Sequence, residues 1–455
     1  MVFNDSSNVD VMIDNPKRAL IKMSIPLIVS LLIASLYNLI DAVWLSDLGS
    51  DVIAGVGFVT PIYMLLIGFG NGLGSGAAFA ISKYLGENNK SKADNASVHS
   101  FLFDIVISFI ISFLLIISLT SILEMLGAGQ TINYAVNYGQ IIILGSIFII
   151  LSNALYGIFR GEGDTTRPLY AMIISAILDI ILDPIFIYTL NLGVRGAAFA
   201  TVISAFFVVL ILIYWLYVKK DTYLKPNLSN FHFKKDILYD ISIVGIPASI
   251  QLLNNAFFAA VFSAILAFVG TTDSVAVYSI GLRVITVAST PIIAVGTVMV
   301  SVVAANYGAR RYENIQITHR YAMKISIIIS LIILILICIF AGNISSLFFA
   351  SESDIGIYSE LTFFLQVYVL NFPGMAIGVA STYVFQGVGR GITAMFQTIM
   401  RETGFTLPFA FIIAVVLGYG VLGAWISMVV GDIVVSLITL IWANIYINKL
   451  IAKHD

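Results

Sequence analysis

The chain has 455 residues, of which 59% are hydrophobic and 11% charged, with a net charge of -2 and a mean hydropathy of +1.00. Soluble domains carry about 25% charged residues, so this composition marks a membrane protein. It offers no basic excess to neutralise phosphates, which excludes a nucleic-acid binder.

Residues 1–16 are polar and acidic, and lack the basic start, short apolar core and small-residue cleavage site of a signal peptide. The first apolar run begins at Ala19, is too long for a signal core and carries Asp41 near its far end. It is predicted as a permanent helix. Runs of roughly 20 apolar residues, the length that crosses a bilayer, predict six spans in the first half: 19–45, 52–82, 96–125, 134–159, 168–190 and 194–218. Six more follow at 237–269, 274–306, 321–340, 358–386, 393–417 and 419–447. The predicted class is an all-α polytopic membrane protein with twelve transmembrane helices.

The basic residues supply an orientation. Lys17, Arg18 and Lys22 open the first span, and Lys83, Lys90 and Lys92 separate spans two and three. Arg160 and Arg167 separate four and five, and Lys219, Lys220, Lys225, Lys234 and Lys235 fill the central loop. Arg310, Arg311, Arg320 and Lys324 follow span eight, Arg390 follows span ten, and Lys449 and Lys453 close the chain. All fall on one side if the helices alternate. The opposite loops hold Asp47, Asp51, Glu124, Asp273, Glu352 and Asp354, with Arg195 as their single base. By the positive-inside rule both termini are predicted to be cytoplasmic.

The two halves repeat in order. Ser24-Ile25-Pro26 answers Gly245-Ile246-Pro247, Leu48-Gly49 answers Val269-Gly270, and Tyr84-Leu85-Gly86 answers Asn306-Tyr307-Gly308. Gly161-Glu162-Gly163 answers Gly387-Val388-Gly389, and Gly193 to Ala197 answers Gly420 to Ala424. Six helices per half is an even number, so the repeats share one orientation. Parallel repeats build transporters that rock two lobes about a central cavity. The expected division is a first lobe over 1–218, a linker over 219–236 and a second lobe over 237–455.

The chemistry lies in carboxylates inside apolar spans. Asp179 and Asp183 are four residues apart, on one face of a helix, and Asp41 sits in the first span. A charge near mid-membrane costs on the order of 2.5–3.5 kcal/mol, so such residues are usually functional. At 1.5 Å per residue, Asp41, Asp183 and Thr201 share a depth of roughly 7–10 Å below the outer surface. Tyr37 and Tyr138 reach a similar zone, and Asp179 sits one turn deeper. Carboxylates with a hydroxyl are hard oxygen ligands, suited to Na⁺ or to holding a proton. A shared proton or cation at Asp179 and Asp183 is expected to bias which way a cavity opens.

These residues carry a recognisable pattern. Pro26, then Leu36-Tyr37-Asn38-Leu39-Ile40-Asp41 and Trp44-Leu45, resembles the first helix of multidrug and toxic compound extrusion (MATE) transporters. Leu85-Gly86-Glu87 with Lys92-Ala93, and Arg160 to Thr165, resemble their second and fourth loops. Asp179-Ile180-Ile181-Leu182-Asp183-Pro184 followed by Gly193 to Ala198 is similar to the fifth and sixth helices of the DinF-like prokaryotic branch, and Arg283 and Arg401-Glu402 match its second-lobe polar positions. The resemblance implies two six-helix lobes in a V and an antiporter that exports cationic or amphipathic compounds against inward H⁺ or Na⁺. It implies coupling at positions matching Asp41 and Asp183, cavity positions at Thr201, Tyr138 and Asn153, and a bend in the first helix at Pro26. Asp179 departs from the pattern, because the family commonly has Asn there; the extra acid could bind a further proton or tighten Na⁺ binding.

Other features carry less. Gly68, Gly70, Gly72, Gly74 and Gly76 are expected to pack helices closely. Asp432 is read as structural or auxiliary, and Arg283 and Arg401 as pairing with lobe acids or, alternatively, as facing the cytoplasmic cavity. Cys338 is read as a packing residue. His99, His232, His319 and His454 are scattered near cytoplasmic ends and suggest no metal site. No hydrolase arrangement stands out, so the chain is not expected to be an enzyme. The expectation is a monomer in the plasma membrane, with no cofactor beyond H⁺ or Na⁺, acting on small organic cations or amphipathic compounds. The second reading is a lipid-linked oligosaccharide flippase of related two-lobe plan.

Overall fold

The computed structural model describes residues 6–219, 221–349 and 355–453; Lys220, Glu352, Asp354 and His454 lie outside them. Among the described residues, eleven helices are long and apolar enough to cross a membrane, or twelve when one bent pair is counted as a single span. The first half comprises α2 (Pro16–Ser46), α3 (Ser50–Gly86), α4 (Lys90–Met125), α5 (Ile132–Leu144), α6 (Ser146–Gly161), α7 (Thr166–Pro184) and α8 (Val194–Ile213). It is preceded by a short helix α1 (Ser6–Asp14). The second half comprises α9 (Lys235–Val269), α10 (Thr272–Gly308), α11 (Tyr312–Ser346), α12 (Ile355–Tyr368), α13 (Phe372–Gly387), α14 (Gly391–Ile399), α15 (Leu407–Ala410) and α16 (Gly420–Ala452).

Several spans, among them the fourth and the eleventh, differ from the uniform helices predicted. The fourth bends by 50° between α5 and α6. Gly145 sits at the break, where a Cβ would strike the Val202 side chain of α8, and Ser112 Oγ of α4 donates to the Ile143 carbonyl at 2.7 Å. A hydroxyl inserted beside a helix ladder is a recognised cause of such a bend. The eleventh span winds wide, with π-helical turns at Met400–Thr406 and Phe411–Val416 on either side of α15. The helix α1 lies in the stretch read as polar; its anchors are Val9 and Met12, both buried.

The glycine run in α3 shows two separate uses. Gly70 and Gly74 face α6, where an added Cβ would lie 2.8 Å from Asn153 Cβ and Asn153 O respectively. Gly72 and Gly76 face α9, against the backbone of Ser249, Gly245 and Ile241. One i, i+4 pair therefore closes the first half on itself, and the other joins the two halves. Bare glycine surfaces let backbones approach and gain dispersion contact where lipid supplies no hydrophobic drive.

The halves meet at the end that carries the Lys and Arg loops. Lys83 Nζ and Tyr84 OH both reach Asp240 Oδ2, at 2.7 and 2.6 Å, and Lys92 pairs with Asp236 at 2.9 Å. The repeated motifs meet here too: Gly86 packs on the Ala305 carbonyl and Gly308 on the Lys83 carbonyl. The helix α1 lies across this junction. Asn306 Nδ2 donates to the Met12 and Val302 carbonyls, both at 2.8 Å, Asn314 Nδ2 donates to Ile13 O, and Arg311 pairs with Asp14. Toward the opposite end, Gly68 still faces Leu252; beyond it Met64 of α3 and Phe257 of α9 are exposed.

Candidate functional site

The α2 and α7 helices pack side by side, which brings Asp41 against Asp179 and Asp183. One carboxylate oxygen from each lies within 4.8 Å of the others. Asp179 and Asp183 are buried, and Asp41 is half-buried. Asp41 Oδ1 and Asp179 Oδ1 have no hydrogen-bond partner, and no ion pair reaches the trio among the described residues. Two unit charges about 4 Å apart repel by roughly 4 kcal/mol at an effective dielectric of about 20. A proton or a monovalent cation relieves that repulsion, and carboxylate oxygens are suitable hard ligands.

Local sequence explains the placement. Pro184 follows Asp183 and ends α7, after which Ile185–Thr189 winds as a π-turn. Gly193 takes φ +54° and begins α8, and Gly196 then packs directly on the Phe186 backbone, where a Cβ would lie 2.6 Å from its carbonyl carbon. Only glycine permits this approach, which folds α8 back against α7.

A cavity of ≈ 190 Å³ extends from Asp179 toward the basic end of the first half. Tyr37, Asn153 and Thr201 line it. Asn153 Nδ2 donates to Ile149 O at 2.8 Å, and Thr201 Oγ1 donates to Ala197 O at 3.2 Å. Their oxygens remain able to accept from a guest or to ligate a cation. Asp41 and Asp183 stand outside this lining, as does Tyr138, which packs instead with Leu45, Val52, Ile187, Val194 and Ala197. Pro26 lies inside a continuous α2, and its carbonyl accepts from Ser30 Oγ at 2.9 Å.

Several lining residues escaped the reading of the sequence. Tyr63 of α3 lies against the Tyr37 hydroxyl. Asn71 sits within the glycine run, and Ser204 is one turn beyond Thr201 on the same face of α8. Arg160, read as a loop charge, is in the last turn of α6, 5% exposed and lining the cavity. The i, i+3 relation to Thr201 was the available signal for Ser204. Nothing local distinguishes the other three.

The second half holds a different polar centre. Arg401 Nε lies 3.1 Å from Asp432 Oδ1, and its guanidinium lies 3.4 Å from Glu402 Oε1. Asn254 Nδ2 donates to Glu402 Oε2 at 2.7 Å, and the Asn255 amide, turned to satisfy its surroundings, donates to the same oxygen at 2.8 Å. This centre therefore carries a built-in cation. Arg283, expected to pair similarly, is exposed and makes no ion pair among the described residues.

Twelve spans in two like-oriented halves, with acids buried beside a cavity, define a multi-pass membrane protein of the MATE architecture. The MatE family model matches residues 26–185 and 247–412. The chain is 25% identical over 413 residues to "Probable multidrug resistance protein YoeA" of Bacillus subtilis, covering 89% of this chain and 88% of that one. It is 27% identical over 404 residues to the multidrug export protein MepA of Staphylococcus aureus, covering 88% of each. The solved structure of a MOP-superfamily transporter from Pyrococcus furiosus superposes with a TM-score of 0.94 at 34% identity, covering 97% of this chain and 98% of that one. The chain belongs to the MATE family.

Proposed function

We propose that this protein is a secondary active antiporter of the DinF-like branch, exporting cationic or amphipathic compounds in exchange for inward H⁺ or Na⁺. The observation that carries the reading is the trio Asp41, Asp179 and Asp183, gathered within 4.8 Å at the head of a cavity. Multidrug export is also what the name of MepA states for that relative, and multidrug resistance what the name of YoeA states for that one. The two halves act as lobes, over residues 1–218 and 237–455, joined by the linker 219–236. Both termini face the cytoplasm, and the protein works as a monomer in the plasma membrane, without enzymatic activity or a cofactor.

The proposed cycle follows from charge. With the trio empty, mutual repulsion favours capture of a coupling ion. With the ion bound, the site is closer to neutral and α2 can move relative to α7, with Pro26 as the hinge. Release of the ion on the other side restores affinity for a cationic substrate. Thr201 supplies a further oxygen if the ion is Na⁺, and Tyr37, Asn153 and Tyr63 orient the substrate.

The test is efflux of ethidium from proteoliposomes under a pH gradient and a Na⁺ gradient imposed separately. Efflux under either gradient, lost in Asp183→Asn, supports the reading and names the ion. An active preparation that moves no dye under either gradient overturns it in favour of the lipid-linked oligosaccharide flippase.

A further inference from the structure

A second cavity, of ≈ 210 Å³, lies between the eleventh and twelfth spans, away from the acid trio. Its origin is local. The π-helical stretch Met400–Thr406 runs wide beside α16, and Gly404 inside that stretch has no side chain to fill the gap. π-turns in α-helices frequently mark functional sites. Phe396 and Trp442 form one wall, edge to face with centroids 6.5 Å apart, and Phe405 and Ile438 contribute further apolar surface.

Gln397 lines this cavity and is only 2% exposed, yet neither Nε2 nor Oε1 of its amide has a hydrogen-bond partner. An unmade hydrogen bond at a buried group is costly, and inside a membrane span there is no bulk water to repair it. Such an amide needs a guest that both accepts and donates. Thr439, the other polar residue of the lining, already donates to Ser436 O at 2.9 Å. The lining has no charged side chain, so the guest is neutral. Phe396, Ile438 and Trp442 are all exposed on helices that cross the bilayer, so the mouth faces lipid.

We propose that this cavity binds a neutral, membrane-dissolved amphiphile with a hydroxyl-bearing head, which both donates and accepts, of the monoacylglycerol type. The head hydrogen-bonds the Gln397 amide and the chain lies along Phe396, Phe405 and Trp442. The site is independent of the acid trio and of the proposed transport cycle.

Trp442 provides the readout. The full-length protein is reconstituted with a monoacylglycerol brominated on its chain, and its quenching is taken as the difference between the parent and Trp442→Phe. Saturable quenching of Trp442 is expected, above that caused by phosphatidylcholine carrying the same bromine content. Gln397→Leu should raise the half-saturating mole fraction about tenfold, the effect of losing roughly 1.4 kcal/mol. Gly404→Leu should abolish the excess by filling the cavity; the one close contact of its Cβ is the flexible tip of Met400, and the Ile399 carbonyl lies at an ordinary 3.6 Å. Asp183→Asn should bind normally even if transport is lost, which separates this site from the proposed function. Equal quenching by both lipids, or quenching unchanged in Gln397→Leu and Gly404→Leu, overturns the proposal.

Discussion

Asp179 is the one acid of the trio that lines the cavity, so at the scale of single residues it should behave differently from its neighbours. Asp41 and Asp183 lie outside the lining, so under the proposed coupling they act through a shared ion. Asp41→Asn and Asp183→Asn are each expected to lower gradient-driven efflux more than tenfold, and the double variant to cost no more than the worse single. Residues that act as one unit are grossly non-additive; initial efflux rates at matched protein density test this, and additive losses would show independent roles. Asp179→Asn should retain efflux but change its dependence on the size of the ion gradient. Asp104 makes a separate case. It is 1% exposed in α4, and both carboxylate oxygens lack partners. A buried polar group without a partner costs about 1–3 kcal/mol, so Asp104→Leu should raise Tm while leaving efflux intact. A lower Tm would mean that the carboxyl has a structural role.

Among the elements, α1 makes a junction out of proportion to its nine residues. Met12 is fully buried, Gly163 of the α6–α7 turn packs against it, and Asn306 and Asn314 of the second half hold its last carbonyls. The helix therefore touches both halves where they are closed. Asn306→Leu removes the bond to Met12 O and leaves that carbonyl unsatisfied, at a cost of about 1–3 kcal/mol. It should loosen this face and increase the distance between spin labels placed on the α3–α4 and α10–α11 turns. An unchanged distance distribution would mean that α1 rides on the closure without holding it. The sequence revealed the membrane spans well, because long apolar runs and one-sided Lys and Arg are local signals. It concealed α1, whose two buried anchors lie among polar neighbours, and the break at Gly145, which depends on Val202 and Ser112 from other helices. The acids of the trio were legible for the same reason as the spans, because charge is conspicuous in an apolar run, although Asp104 in the third span was passed over. Tyr63 and Asn71 were not, because an aromatic or an amide in a membrane helix points nowhere until its neighbours are known.

For the whole molecule, the decisive surface is the glycine face shared by α3 and α9. Alternating access requires this contact to form and break, so its energy must stay small enough to reverse. Bare backbone contact meets that need, since it has no interlocked side chains to disengage. It also makes the closed state unusually sensitive to one added Cβ. At Gly76 that atom would meet the Ile241 carbonyl and lie 2.9 Å from Gly245 Cα, both backbone that cannot swing aside. Overpacking of this kind costs about 1–3 kcal/mol, and it is paid only when the halves are closed at the basic end. Gly76→Val should therefore shift the population toward the opposite opening by about tenfold, without unfolding the first half, because Gly76 does not face α6. With Cys338 replaced by alanine and Ser249→Cys as reporter, which is buried at this contact, labelling by an impermeant maleimide from the side of the Lys and Arg loops should accelerate accordingly. Gly74→Val is the contrast: its Cβ strikes the Asn153 carbonyl inside the first half, so it should lower Tm and leave the labelling rate of the folded fraction unchanged. Equal effects on labelling from both substitutions would mean that the two glycine faces are not mechanically separate.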